Sequence, residues 1–323
     1  MRRLGCLVLI AGLCIAAFLT LNFVRGWMGD GPAEKDTTVI ISEGMTLTRG
    51  ARDMEKAGVI SSSQAFLSRA KIFASDAPIK AGEYLIPAHA SNRDILNLLQ
   101  SGKVVARLVT IPEGMPSILV HEKLLSEKYL TGDVAVPREG SVLPDSYSYE
   151  RGERRQAVLD RMQKAMKNTL DELWRARAKD AVVKTPEEAL TLASIVEKET
   201  GVPSERRTVA GVYNNRLKIG MRLQADPTII YPITQGKPLG RRIKRSEIEA
   251  VNGYNTYAMA GLPKGPIANP GRASIEAVLH PAKTKALYFV ADGKGGHIFS
   301  DTLEEHQANV KKWFAIRRAR GEL

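Results

Sequence analysis

The sequence predicts an α+β protein that begins with an apolar helix, and three observations carry that reading. An uncharged apolar run extends over residues 4–24. Short strand-like runs at 38–41, 80–87 and 104–111 alternate with capped helical stretches. Beyond residue 150, long helical patterns are interrupted by turns rich in Gly, Pro, Asn and Tyr. The chain has 323 residues, which suggests about two domains. At 44% hydrophobic and 25% charged it is neither a disordered chain nor a multi-pass membrane protein. Lys and Arg number 47 against 35 Asp and Glu, a net charge of +12, which suits an anionic partner or surface.

Arg2 and Arg3 precede the apolar run, whose length meets the roughly 20 residues needed to cross a bilayer as a helix. No small-x-small cleavage site follows Leu21, so the expectation is an uncleaved anchor over residues 1–28, with a cleaved signal as the alternative. Arg2, Arg3 and the free N-terminus favour a cytoplasmic start and a body exported to the extracytoplasmic side of the inner membrane, although Arg25 also flanks the span. The only cysteines, Cys6 and Cys14, lie inside the run. The exported body therefore has no disulfide, thiol nucleophile or cysteine zinc site.

Residues 29–36 read as a short polar linker. Thr38-Val-Ile-Ile41 is a strand, followed by a helix over 47–57 closed by Gly58. Ser61–Ser63 cap a second helix to Phe73, residues 80–87 form a strand, and Ser91 caps a helix over 93–100 closed by Gly102. Ile41-Ser-Glu-Gly-Met45 and Ile111-Pro-Glu-Gly-Met115 repeat one strand-turn-helix solution. A positive-φ Gly in each makes Glu43 and Glu113 structural rather than catalytic. Residues 130–152 are less regular. Residues 153–178 form an amphipathic helix, and Thr185-Pro-Glu-Glu188 starts another that runs to Thr200, before Gly201.

At about 100° per residue, Leu192, Ile195, Val196 and Glu199 share one stripe of that last helix, while Glu197 falls nearly opposite. A carboxyl group on a buried stripe at a helix C-terminus is poorly solvated and faces the negative end of the dipole. Both effects raise its pKa, as a general acid requires. The alternative is a buried ion pair of Glu199 with Arg206, Arg207 or Arg216. Tyr213-Asn-Asn-Arg-Leu217, the stretch 220–231 and Tyr254-Asn-Thr-Tyr257 combine flat apolar rings with neutral hydrogen-bonding groups. That combination suits a sugar, and ordered turns are the alternative. No phosphate loop, zincin motif or nucleophile elbow is present. Gly293-Lys-Gly-Gly296 reads as a hairpin turn between two strands. The basic stretches near Arg241 and Arg317 read as solvated faces, not a nucleic-acid site.

These segments resemble the YceG-like family of endolytic murein transglycosylases. The resemblance rests on Leu192-Ala-Ser-Ile-Val-Glu-Lys-Glu-Thr200, Arg222-Leu-Gln-Ala-Asp-Pro-Thr228, Tyr254-Asn-Thr-Tyr257, Gly261-Leu-Pro263, Ala268-Asn-Pro270, His280-Pro-Ala-Lys283, and Tyr288-Phe-Val-Ala-Asp-Gly293 with Gly296-His297. Leu143-Pro-Asp-Ser-Tyr147 is similar to a family Pro-Asp-Thr-Tyr element, with Ser146 in place of Thr. The resemblance implies a LysM-like βααβ module over residues 37–103 and a mixed α/β catalytic domain over 104–323. It also implies cleavage of the MurNAc–GlcNAc β-1,4 bond within nascent strands, leaving 1,6-anhydro-MurNAc ends and terminating elongation. It assigns the catalytic role to Glu199. Expected substrate contacts are Gln224, Tyr231, Asn255 and Tyr257, and Asp226 is expected to serve a turn. No cofactor or metal is implied. The expected partners are glycan strands and, by family analogy, membrane peptidoglycan synthases. A membrane-anchored binding scaffold and a muramidase-type hydrolase are the competing classes.

Overall fold

The computed structural model describes residues 2–73, 75 and 77–322. It has a mixed α/β architecture, and among the described residues the strands form three two-stranded sheets. The chain divides into two compact units, Met1–Arg107 with Tyr149–Gly152, and Leu108–Ser148 with Glu153–Leu323.

The first unit opens with α1 (Arg2–Met28), which contains a stretch, Leu9–Met28, long and apolar enough to cross a membrane. There follow β1 (Thr37–Ile41), α2 (Leu47–Lys56), α3 (Ser63–Phe73), β2 (Gly82–Ile86) and α4 (Asn92–Ser101). β1 and β2 pair antiparallel, with Thr37 opposite Ile86 and Ile41 opposite Gly82. Period-two alternation puts Val39 and Ile41 into the core and leaves Ile40 outside. Thr46 and Ser91 cap α2 and α4 through their side-chain oxygens, and Gly102 closes α4 in the left-handed conformation. The core is built from Met54, Phe66, Tyr84, Ile86, Ile95, Leu96 and Leu99. The Glu83 carboxylate, nearly buried at the sheet, binds Arg107 and Arg151 at 2.8 Å each.

Two expectations change here. The last turn of α1 does not leave the folded body. Trp27 is buried in this core, 5.8 Å from the Phe66 ring and 5.9 Å from Phe73. Residues 29–36 are not a free linker either. Gly31 donates to the His89 carbonyl, Ala33 accepts from the His89 N–H, and Asp36 caps the Ala88 N–H. A Cβ on Gly31 would stand 2.2 Å from the Ala90 carbonyl oxygen, so only glycine fits. Polar composition suggested a tether, but these backbone contacts turn it into a packed strap.

The second unit starts at β3 (Arg107–Thr110), which pairs with β4 (Ser146–Tyr149), a strand inside the stretch that read as irregular. Between them lies α5 (Ser117–Ser126); after them come α6 (Arg155–Arg175), α7 (Pro186–Glu199), α8 (Arg206–Lys218), α9 (Pro227–Thr234), α10 (Arg245–Ile248) and α11 (Arg272–Leu279). The antiparallel hairpin β5 (Tyr288–Ala291) and β6 (His297–Ser300) follows, then α12 (Leu303–Ala319). Gly114 adopts φ 72° and Gly44 φ 71°, so the repeated Glu-Gly-Met turns share one backbone solution. Glu113 pairs with Arg206 at 3.0 Å, a structural use of that carboxylate.

At the centre of this unit is α7. Thr185 accepts from the Glu188 N–H, Pro186 occupies the first turn, and every residue from Ala189 to Val196 is buried. The helix is enclosed by α6, α8, α9 and α11. The expected single apolar stripe is thus a helix buried on all sides, as a fully enclosed helix must be.

Truncating Trp27 to Ala should cost about 3–5 kcal/mol of first-unit stability by opening a core cavity. Thermal unfolding of the full chain in detergent, followed by protease sensitivity of residues 29–107, reads that loss.

Candidate active site

α7 carries two carboxyl groups out of its buried core, and their surroundings differ. The Glu197 side chain is only 5% exposed; it lies 3.7 Å from Arg206 and accepts the Gly271 N–H at 2.9 Å. Helical periodicity placed it nearly opposite the apolar stripe, yet it is the more tightly held of the two. Glu199, in the last turn, has no salt bridge among the described residues. Its side-chain partner is the buried Tyr213 hydroxyl of α8. Arg206 and Arg207 are engaged elsewhere, Arg207 with the His280 carbonyl at 2.8 Å. Arg216 spends its donors on backbone, Nε to Leu287 O at 2.6 Å and Nη1 to Leu223 O at 2.5 Å.

Desolvation therefore governs Glu199. Burial raises its pKa to about 7, the Tyr213 hydrogen bond opposes this, the Asp226 carboxylate adds to it, and Arg216 opposes it from a distance. A carboxyl group poised near neutrality can both give and take a proton.

Glu199 lines a cavity of about 410 Å³, together with Tyr213, Arg216, Gln224, Asp226 and Tyr257. The segment before α9 forms one wall. Gln224 is a non-glycine residue at φ 52°, with its N–H on the Thr256 carbonyl at 3.2 Å. Ala225 N–H donates to the Thr256 hydroxyl at 3.0 Å, and Thr228 and Thr256 exchange a hydrogen bond at 2.9 Å. These contacts hold the strained residue and present Gln224 and Asp226 to the cavity. Tyr257 donates its hydroxyl to Asp226 at 2.6 Å.

The β5–β6 hairpin and α12 form the opposite wall, with Tyr288, Phe289, His297 and His306. Glu205 fastens this wall to the end of α7. It accepts from the His297 N–H at 2.8 Å, meets His297 Nδ1 at 2.7 Å, and accepts from the Thr200 hydroxyl at 3.2 Å. The His306 ring stacks on Tyr288 at 5.1 Å, and burial lowers its pKa. Among the described residues, no group of three or more His, Cys, Asp or Glu could hold a metal ion.

A YceG-like family model matches residues 39–312. The chain belongs to this family. Relatives include the endolytic murein transglycosylase of Bacillus subtilis (strain 168), 31% identical over 88% of this chain and 88% of the relative. The endolytic murein transglycosylase of Streptococcus pneumoniae (serotype 2, strain D39) is 30% identical over 91% of this chain; the match spans 63% of that longer protein. Among solved structures, a YceG-like protein from Listeria monocytogenes superposes with a TM-score of 0.53 at 27% identity, covering 85% of this chain and 99% of that one.

In this YceG-like chain, the structure brings Glu199, Gln224 and Tyr257 to one cavity. Two expected contacts lie elsewhere. Asn255 is fully buried: its amide donates to the carbonyls of Glu247, Ile248 and Ala250, and its oxygen accepts the Tyr257 N–H. It positions Tyr257 and cannot reach a ligand. Tyr231 lines a separate cavity of about 370 Å³ with Glu139, and its ring packs on Tyr254 at 4.8 Å. Asp226 does more than make a turn, since its carboxylate faces Glu199's cavity. His297 and His306 also line this cavity, from the hairpin and the helix after it.

The folded protein binds the Glu199 proton more tightly than the unfolded chain does. That contribution is complete below about pH 4.5 and is lost as pH rises through about 7. Glu199→Gln should therefore gain stability over the parent by up to about 3 kcal/mol at pH 8.5 relative to pH 4.5. Paired thermal melts at the two pH values check the sign.

Proposed function

We propose that this chain is an endolytic lytic transglycosylase of peptidoglycan in which Glu199 carries the proton transfers. The observation behind the assignment is a carboxyl group without a salt bridge among the described residues, its pKa near 7, facing a cavity that also presents aromatic rings, Gln224 and the Asp226 carboxylate. The relatives' names support the reaction class.

In the proposed reaction, protonated Glu199 donates to the glycosidic oxygen between MurNAc and GlcNAc. The resulting carboxylate takes the proton from the MurNAc C6 hydroxyl as that oxygen closes on C1. Bond cleavage leaves a 1,6-anhydro end without consuming water, so one group acts first as acid and then as base. Tyr213 holds the acid by hydrogen bond. The Asp226 carboxylate, held by Tyr257, favours the protonated form of Glu199 and would stabilise positive charge growing at C1. Tyr257, Tyr288 and Phe289 offer ring faces to sugars, and Gln224 offers an amide.

A muramidase-type hydrolase is the second reading, because Asp226 is a second carboxylate in the same cavity, as such enzymes require. The first unit, with its β-α-α-β order over β1, α2, α3 and β2, is assigned a LysM-like glycan-binding role. α1 is assigned as a single-pass anchor in the inner membrane, holding the body on the outer side beside the synthases that supply nascent strands. A scaffold that binds strands without cutting them has no use for an unpaired desolvated acid.

Uncrosslinked glycan strands incubated with the full chain should yield anhydro-MurNAc ends by mass spectrometry, and Glu199→Gln should lose at least about 10²-fold in rate. Anhydro ends produced by the Gln variant at the parent rate would refute the assignment. Reducing ends would identify a hydrolase, and intact strands a scaffold.

The rate should fall about tenfold per pH unit above about 7, where Glu199 ionises. Asp226→Asn should shift this alkaline limb to lower pH, because a charge that favours the protonated acid is gone. An unmoved limb would deny Asp226 that influence.

A further inference from the structure

The junction between α1 and the first unit carries information beyond anchoring. α3 packs against the end of α1. Phe66, in its second turn, packs on Trp27; Arg69, one turn later, donates to the Phe23 carbonyl at 3.2 Å; and Phe73, in its last turn, packs on the Phe23 ring at 5.7 Å. Phe73 also stacks on Trp27 at 5.9 Å, so the last turn of α3 lies beside the stretch of α1 from Phe23 to Trp27, at the body end of its apolar span. Gly26 leaves room for the Arg69 guanidinium, which lies where a Cβ would stand 2.3 Å away. The two helices are locked together by that guanidinium, which also sits 5.5 Å from the Phe23 ring centre.

The last turn of α3 leaves apolar side chains uncovered at that end. Ile72 is 67% exposed and Phe73 40% exposed, beside the half-buried Phe23. Lys71 and Arg25 are exposed around them. The uncharged run over residues 4–24 ends at Val24, whereas the membrane-length stretch Leu9–Met28 puts Phe23 about 7.5 Å inside its end, so Phe23 lies at or just within the edge of the hydrocarbon layer. Phe73 packs on Phe23 and so stands at that level, with Ile72 next to it in the chain.

We propose that the last turn of α3, Lys71-Ile72-Phe73, is a membrane-contact surface that inserts its apolar side chains at the acyl–headgroup boundary of the leaflet from which α1 emerges, with Lys71 and Arg25 on anionic phospholipid headgroups. This rests on the anchor reading of α1. Its consequence is that the first unit is held at a fixed height and tilt on the bilayer. An amphipathic turn with basic residues beside aliphatic and aromatic ones has the chemistry of an interfacial element.

The test uses the full chain reconstituted in vesicles of phosphatidylethanolamine and phosphatidylglycerol. Single cysteines are placed at Ile72→Cys and Lys56→Cys in a Cys6→Ser, Cys14→Ser background, and native Cys14 is kept alone in a third protein. Each carries a fluorescent thiol label, and quenching by doxyl-labelled lipid is compared with quenching by aqueous iodide. Lys56, beside the Glu55–Ser63 hydrogen bond that joins the end of α2 to the start of α3, marks the far end of α3. The expected result is lipid quenching several-fold stronger at position 72 than at position 56, with iodide quenching in the opposite order. Position 72 as open to iodide as position 56, with position 14 protected, would overturn the membrane contact and leave the anchor standing. Iodide access at both 72 and 14 would overturn the anchor reading and the contact with it.

Discussion

The second unit is organised by a helix with no solvent face. From Ala189 to Val196 each side chain of α7 is enclosed by neighbouring helices. A helix so enclosed can release a polar group only at its ends, and α7 does so at Glu197 and Glu199. Glu197 is neutralised by Arg206 and a backbone N–H and so fastens the unit together. Glu199 receives one hydroxyl and no cation. Removing a carboxyl group from water without supplying a counter-charge raises its pKa, and the chemistry proposed for this protein follows from that deficit.

Around Glu199 the protein uses charged and polar groups as braces. Arg216 is itself largely withdrawn from water, and burial lowers its pKa. It holds the backbone at Leu223 and Leu287, the bases of two cavity walls, and so is not free to quench the acid. Asn255, Thr228 and Thr256 similarly close the turns that carry Gln224, Asp226 and Tyr257. Glu205 clamps the hairpin through His297. A site assembled from turns needs this bracing, because turns lack the repeating hydrogen bonds that keep helices and sheets rigid.

In the first unit the same economy appears at its junction with α1. Glycine at positions 26 and 31 lets a guanidinium and a carbonyl approach within what would be a Cβ radius. The segment that follows α1 is consequently packed rather than slack, and the helix and the β1–β2 unit share one core through Trp27.

Local rules were sufficient for most elements of this fold. The caps at Thr46, Ser91 and Thr185, the left-handed glycines at 44, 102 and 114, and the hairpin at 293–296 depend on nearest neighbours, so the sequence alone determined them. The resemblance and the stripe of α7 pointed to Glu199, and the fold places that side chain at the cavity. Tertiary structure decided what depends on partners distant in the chain. Periodicity puts Glu197 nearly opposite the apolar stripe, but Arg206 and Gly271 cover it there. Composition makes Asn255 and Tyr231 suitable for sugars, but the fold consumes one in backbone hydrogen bonds and turns the other toward Glu139. Asp226 and His297 join Glu199 across roughly thirty and a hundred residues. β4 forms because β3 lies beside it, and residues 29–36 pack because 88–90 receive them. Burial and pairing are properties of the assembled neighbourhood, and a linear pattern records only the side of the contact that it contains.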